Sequence, residues 1–148
     1  MRTVFADVDK NRLYIRIGRS GAAPIPDLLS LRREVRRLYP GFTVLTDLTG
    51  YTPVGQKEAE QIVRLQRFLI DAGMGMAVRV APSAVARLQF ERRARRSGFR
   101  AVSASRLEDG ERFLDQWEKR RRLAMNSVFS EPCDPDCGPP LVSSGRIA

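Results

Sequence analysis

The chain has 148 residues, 43% of them hydrophobic and 29% charged, which is the length of one domain and the composition of a chain that buries a core. It contains no histidine, so every mechanism that needs imidazole as base, proton shuttle or metal ligand is excluded. The formal charge is +9 and rests almost wholly on arginine, because Lys10, Lys57 and Lys119 are the only lysines. Acids and bases cancel beyond residue 120, so residues 1–120 carry the excess. Such a surface favours anionic partners, although solvated helix faces give the same composition.

The first segment, Thr3-Val4-Phe5-Ala6-Asp7-Val8-Asp9, and the second, Arg12-Leu13-Tyr14-Ile15-Arg16-Ile17-Gly18, flank turn residues and predict a β-hairpin. Leu13, Ile15 and Ile17 alternate with Arg12, Tyr14 and Arg16, so one face is expected to be buried and the other polar. Pro26-Asp27 then opens a helix in which Leu28, Leu31, Val35 and Leu38 recur at helical spacing up to Pro40-Gly41. Residues 42–48 read as a central strand covered on both faces. A loop at residues 49–52 leads to a second helix with Pro53 in its first turn. Its apolar face carries Ile62, Val63, Leu65, Leu69 and Ile70, and Gly73 can stop it.

Residues 76–80 predict another strand, and Ser83 can cap a third helix running through Val85, Leu88 and Phe90 to Gly98. Residues 99–102 are a short last strand. Ser105 and Glu108 have capping-box spacing ahead of a fourth helix with Phe113, Leu114 and Trp117. The expected fold is therefore α/β: a mostly parallel sheet of about five strands with an antiparallel edge hairpin and about four helices. The expected domain spans residues 1–120, and residues 121–148 read as a disordered tail. Cys133 and Cys137 lie in that Pro-, Asp- and Gly-containing tail. Two thiols without histidine fall short of the usual four zinc ligands, so incidental thiols are expected, with an intermolecular metal or redox pair as the alternative.

No window approaches the ~18 consecutive apolar residues of a membrane-spanning helix, and an acid at Asp7 comes too early for a signal peptide. A cytoplasmic location is expected.

The element order, the segment Val44-Leu45-Thr46-Asp47-Leu48-Thr49-Gly50, the Gly73-Met74 pair between helix and strand, and the terminal Trp-bearing helix resemble the STAS domain of anti-sigma-factor antagonists. The resemblance covers residues 2–120 and is closest to the divergent SpoIIAA-like branch. It implies a non-catalytic regulatory module of bacterial signalling, bound near the second helix by a kinase or anti-sigma type of signalling protein that phosphorylates a serine at the start of that helix. The corresponding residues here, Val54-Gly55-Gln56-Lys57-Glu58, carry no hydroxyl. The usual phosphoserine switch is therefore not expected, and Thr49 and Thr52 are the nearest hydroxyls.

The expected partner- or ligand-binding residues are Asp47, Thr49, Gly50, Tyr51, Thr52 and Lys57, at the carboxyl edge of the sheet where open α/β folds place ligands. Asp47 has an alternative reading as the acceptor of an Asx-type turn. Arg32, Arg33, Arg36 and Arg37, with Arg92, Arg93, Arg95 and Arg96, form two clusters that suit an anionic membrane surface or acidic partner, or are simply solvated. Tyr51, Val54 and Phe68 are candidates for a lipid or other hydrophobic pocket, with core packing as the plainer account. Nucleic acid is not an expected partner, since no helix-turn-helix, zinc or RNP pattern is present. No cofactor, metal or catalytic residue is expected, although two carboxylates converging in one pocket would reopen catalysis.

Overall fold

In the computed structural model, residues 3–18, 25–51, 56–81 and 83–129 are described, without the side chains of Ala86, Gln89, Arg93, Val128 and Phe129. The elements are β1 (Val4–Asp7), β2 (Arg12–Arg16), α1 (Leu28–Val35), β3 (Thr43–Asp47), α2 (Gln56–Asp71), β4 (Met76–Val80), α3 (Ala84–Ser97), β5 (Val102–Ala104) and α4 (Leu107–Phe129). The five strands form one sheet in sequence order, with β1 antiparallel to β2 and every later pairing parallel. The protein is an α/β fold of the expected kind.

The hairpin closes at Asn11, which adopts φ 51° while its side-chain amide donates to the Tyr39 carbonyl and its oxygen accepts from Tyr39 N. Asparagine tolerates this left-handed geometry better than most residues. Each parallel pair then needs a helical crossover, and successive crossovers in one direction put their helices on one face of the sheet. On that face Leu31 and Val35 of α1, Ile62, Leu65 and Leu69 of α2, and Phe90 and Ala94 of α3 pack onto Val4, Ala6, Leu13, Ile15, Val44 and Ala77. α4 returns to the opposite face, where Leu114 joins Leu45, Val78 and Val80 in a smaller cluster with Tyr14 and Phe113 beside it.

Local chemistry sets the boundaries. Asp27 caps α1 by accepting from Ser30 N at 2.6 Å, which holds its carboxyl below the usual aspartate range. α2 ends at Gly73 (φ +93°), with Met74 N donating to Leu69 O at 3.1 Å as in a Schellman cap. An alanine Cβ at Gly73 would also sit 3.3 Å from Pro40 Cβ, so glycine serves both conformation and contact.

Two local expectations are corrected. α1 stops at Val35 rather than near Pro40, because Arg37 N and Leu38 N turn back to the carbonyls three residues earlier; Arg36 and Arg37 therefore follow the helix. α3 runs through Val85, Leu88 and Phe90 as expected; among its described side chains Phe90 and Ala94 are buried, and Val85 and Leu88 are more than half exposed. Phe99 lies before β5 rather than in it, buried in the main core.

The chain divides into two compact units, residues 1–116 and 117–148. In the second, residues 117–129 are helical, past the expected tail boundary at residue 120, because residues 119–125 contain only good helix formers and no Pro or Gly. There Arg121 lies over the Trp117 ring at 5.3 Å, and Arg122 pairs with Glu118 at 3.8 Å. Cys133 and Cys137 lie outside the described residues. No helix among the described residues is long and apolar enough to cross a membrane.

Candidate functional site

The period-two alternation of β1 and β2 sends Thr3, Phe5, Asp7, Tyr14 and Arg16 to the face that α4 covers only in part. Together with Leu45 and Asp47 of β3 and Leu107 and Glu111 of α4 they line a cleft of about 470 Å³. Phe5 and Tyr14, directly paired across the hairpin, stack with centroids 4.7 Å apart and planes 10° from parallel. This pair gives the cleft an apolar floor. Charged side chains of both signs surround it.

Asp47 ends β3 at the carboxyl edge of the sheet. Its Oδ1 accepts from Thr49 N at 3.0 Å and Thr49 Oγ1 at 2.7 Å, and its Oδ2 lies 3.5 Å from Arg16 Nε. The Asx-type turn is thus formed, and the same carboxylate also faces the cleft. Thr49 and Gly50 are exposed.

Behind the wall that carries Glu111, Arg12 is the organising group, with no part of its side chain exposed. Its Nε donates to Thr43 Oγ1 at 3.2 Å, one terminal nitrogen pairs with Glu111, and the other donates to Asp115 Oδ1 at 2.8 Å. Glu111 also lies 3.7 Å from Lys10 Nζ. A buried guanidinium is tolerated because carboxylates and a hydroxyl meet its donors. Burial, followed by the hydrogen bond and charge of Glu111, pushes the Tyr14 hydroxyl well above its ordinary value of 10.0, so it stays a neutral donor.

Three carboxylates, Asp7, Asp47 and Glu111, therefore line one cleft. Asp7 accepts from Lys10 N at 3.2 Å, Asp47 is held by Arg16 and Thr49, and Glu111 by Arg12 and Lys10. General acid–base work would first have to release one of them from its partner. The arrangement as it stands offers an aromatic floor and fixed charges to a ligand. Among the described residues no group of three or more His, Cys, Asp or Glu side chains is placed to hold a metal ion.

Of the other expected site residues, Lys57 is exposed on the first turn of α2, and Thr52 and Val54 lie outside the described residues. Tyr51 does not present its ring to a partner: it is buried in the main core, edge-on to Phe90 at 4.9 Å and 76°. Phe68 packs against the same core, and neither lines the cleft. Arg32, Arg33, Arg36 and Arg37 are exposed along and after α1, as are Arg92, Arg95 and Arg96 on α3. Arg37 pairs with Glu34 at 3.1 Å, and Glu34 also accepts from Ala6 N at 3.0 Å, which occupies a donor of the outer strand β1.

Arg12, Arg16 and Glu111 were absent from the expected site. The polar alternation of β2 marks the first two, but their partners on β3 and α4 are remote in sequence. Set against protein-family models, curated proteins and solved structures, the chain matches none.

Proposed function

We propose that this chain is a STAS-like protein-interaction module of bacterial signalling, acting in the cytoplasm without catalysis and without the usual phosphoserine switch. It docks its partner on the cleft between the β1–β2 hairpin and the start of α4, next to the Asp47–Thr49 turn. The observation that carries this reading is the composition of that cleft: a stacked Phe5–Tyr14 floor, with Arg16, Asp47 and Glu111 fixed around it by ion pairs. Aromatic surface supplies affinity and preset charges supply register, as in interface hot spots. A second reading, attachment to anionic lipid, is supported by the exposed arginines of α1 and its following turn.

Capture of the intact protein from its own cells at low salt, with proteins and lipids both identified, separates the two. A stoichiometric signalling protein is expected. A recovered partner should bind Thr49→Ala about tenfold more weakly, because the Asp47 carboxylate loses the hydroxyl that fixes its direction, with only a small fall in unfolding midpoint because Thr49 is exposed. Recovery of lipid alone, or loss of stability together with binding, counts against the module reading.

A further inference from the structure

Arg79 is the penultimate residue of β4 and points away from the cleft, into the face covered by α1, α2 and α3. Its residue is 3% exposed, and one terminal guanidinium nitrogen is buried with no hydrogen-bond partner. Among the described residues no carboxylate lies within ion-pair distance of it. The Phe90 ring supports the guanidinium at 5.6 Å, which satisfies its flat face but not its N–H edge. Arginine stays protonated at any physiological pH, so this internal cation has no ion-paired carboxylate among the described residues. Burial lowers its affinity for the proton, and Glu91 opposes that only through space.

The same side chain forms part of the wall of an open groove of about 460 Å³ between the end of α3 and the segment that precedes β5. Arg95 and Arg100 line that groove too, both exposed and neither paired with a carboxylate among the described residues, and Gly98 (φ +76°) borders it without a side chain. Glu91 is the one acid on its wall. Three guanidinium groups against one carboxylate leave a net positive hollow, and the least solvated of the three has no ion pair among the described residues. Planar guanidinium forks match tetrahedral oxyanions.

We propose that this groove is a phosphate-binding site, in which Arg79, Arg95 and Arg100 hold the phosphate group of a phosphomonoester. The site is separate from the cleft, being on the opposite face of the sheet, so either can fail without the other. Glu91 tunes it by repulsion.

Titration calorimetry of the full chain with inorganic phosphate and with glycerol phosphate, at ionic strength fixed with chloride, tests it alongside sedimentation with phosphatidic acid vesicles and with phosphatidylcholine vesicles. Wild type binds, Arg79→Met and Arg100→Ala each weaken binding by about tenfold or more, and Glu91→Gln strengthens it. Methionine retains the apolar stem and removes the unpaired charge, and Arg100 is exposed, so both variants are expected to fold. Binding of the small phosphates alone assigns a free phosphate compound, whereas vesicle capture that is lost in Arg79→Met assigns a lipid headgroup. No binding by wild type to any phosphate probe, or binding of equal strength in Arg79→Met, overturns the proposal.

Discussion

Replacing Glu111 and Asp115 together by alanine is expected to destabilise the protein by about 3 to 5 kcal/mol, the cost of taking two paired carboxylates from a buried charge. Arg12 is wholly buried, and these two carboxylates meet both of its terminal nitrogens. Thr43 Oγ1 remains, but a neutral hydroxyl does not balance a charge. Asp115→Asn alone should cost less than about 1 kcal/mol, because Asp115 is more than half exposed and solvent screens the pair. Adding Arg12→Met to the double variant should recover much of the loss, since an apolar side chain of similar length needs no counterion. Urea unfolding of the set checks this. A double variant as stable as wild type would mean that the network does not hold α4 to the sheet.

Gly110→Ala should destabilise by up to about 2 kcal/mol, against the usual direction for a glycine inside a helix. Alanine there gains about 1 kcal/mol in helix propensity. Yet a Cβ at this position would lie 3.1 Å from Leu45 Cδ1, 3.1 Å from Val78 Cγ1 and 3.3 Å from Val80 Cγ2. All three side chains are buried in strands, so none can swing aside, and overpacking of this kind costs about 1 to 3 kcal/mol. Gly110→Val should be worse still. Because Leu107 and Glu111 line the cleft from the same helix, a lifted α4 should also weaken partner binding. Increased stability in Gly110→Ala, read by urea unfolding, would show that α4 approaches the sheet less closely.

The elements were legible where one period dominated. Residues 76–80 were expected as a strand and form β4, and the alternation Leu13, Ile15, Ile17 did mark the buried face of β2. The failures share a physical cause, which is that burial is decided by elements distant in sequence. Arg12 read as solvent-facing polar because its cover, Glu111 and Asp115, lies 99 and 103 residues away. A signal for Arg79 was available: a lone arginine inside the apolar run Met76-Ala77-Val78-Arg79-Val80 of a central parallel strand has no solvent face to occupy. Asp47 and Thr49 were legible as a turn. That they adjoin a cleft with Phe5, Tyr14 and Glu111 was not, since it depends on α4 crossing back to the second face.

The most direct test of the docking cleft is amide hydrogen exchange of the protein with and without its recovered partner. Slowed exchange in residues 3–7, 12–16 and 47–51 and in the first turns of α4 is the expected footprint. Protection confined to α1 and α3, with the β1–β2 hairpin and the Asp47–Thr49 turn unchanged, would contradict it and place recognition on the arginine faces.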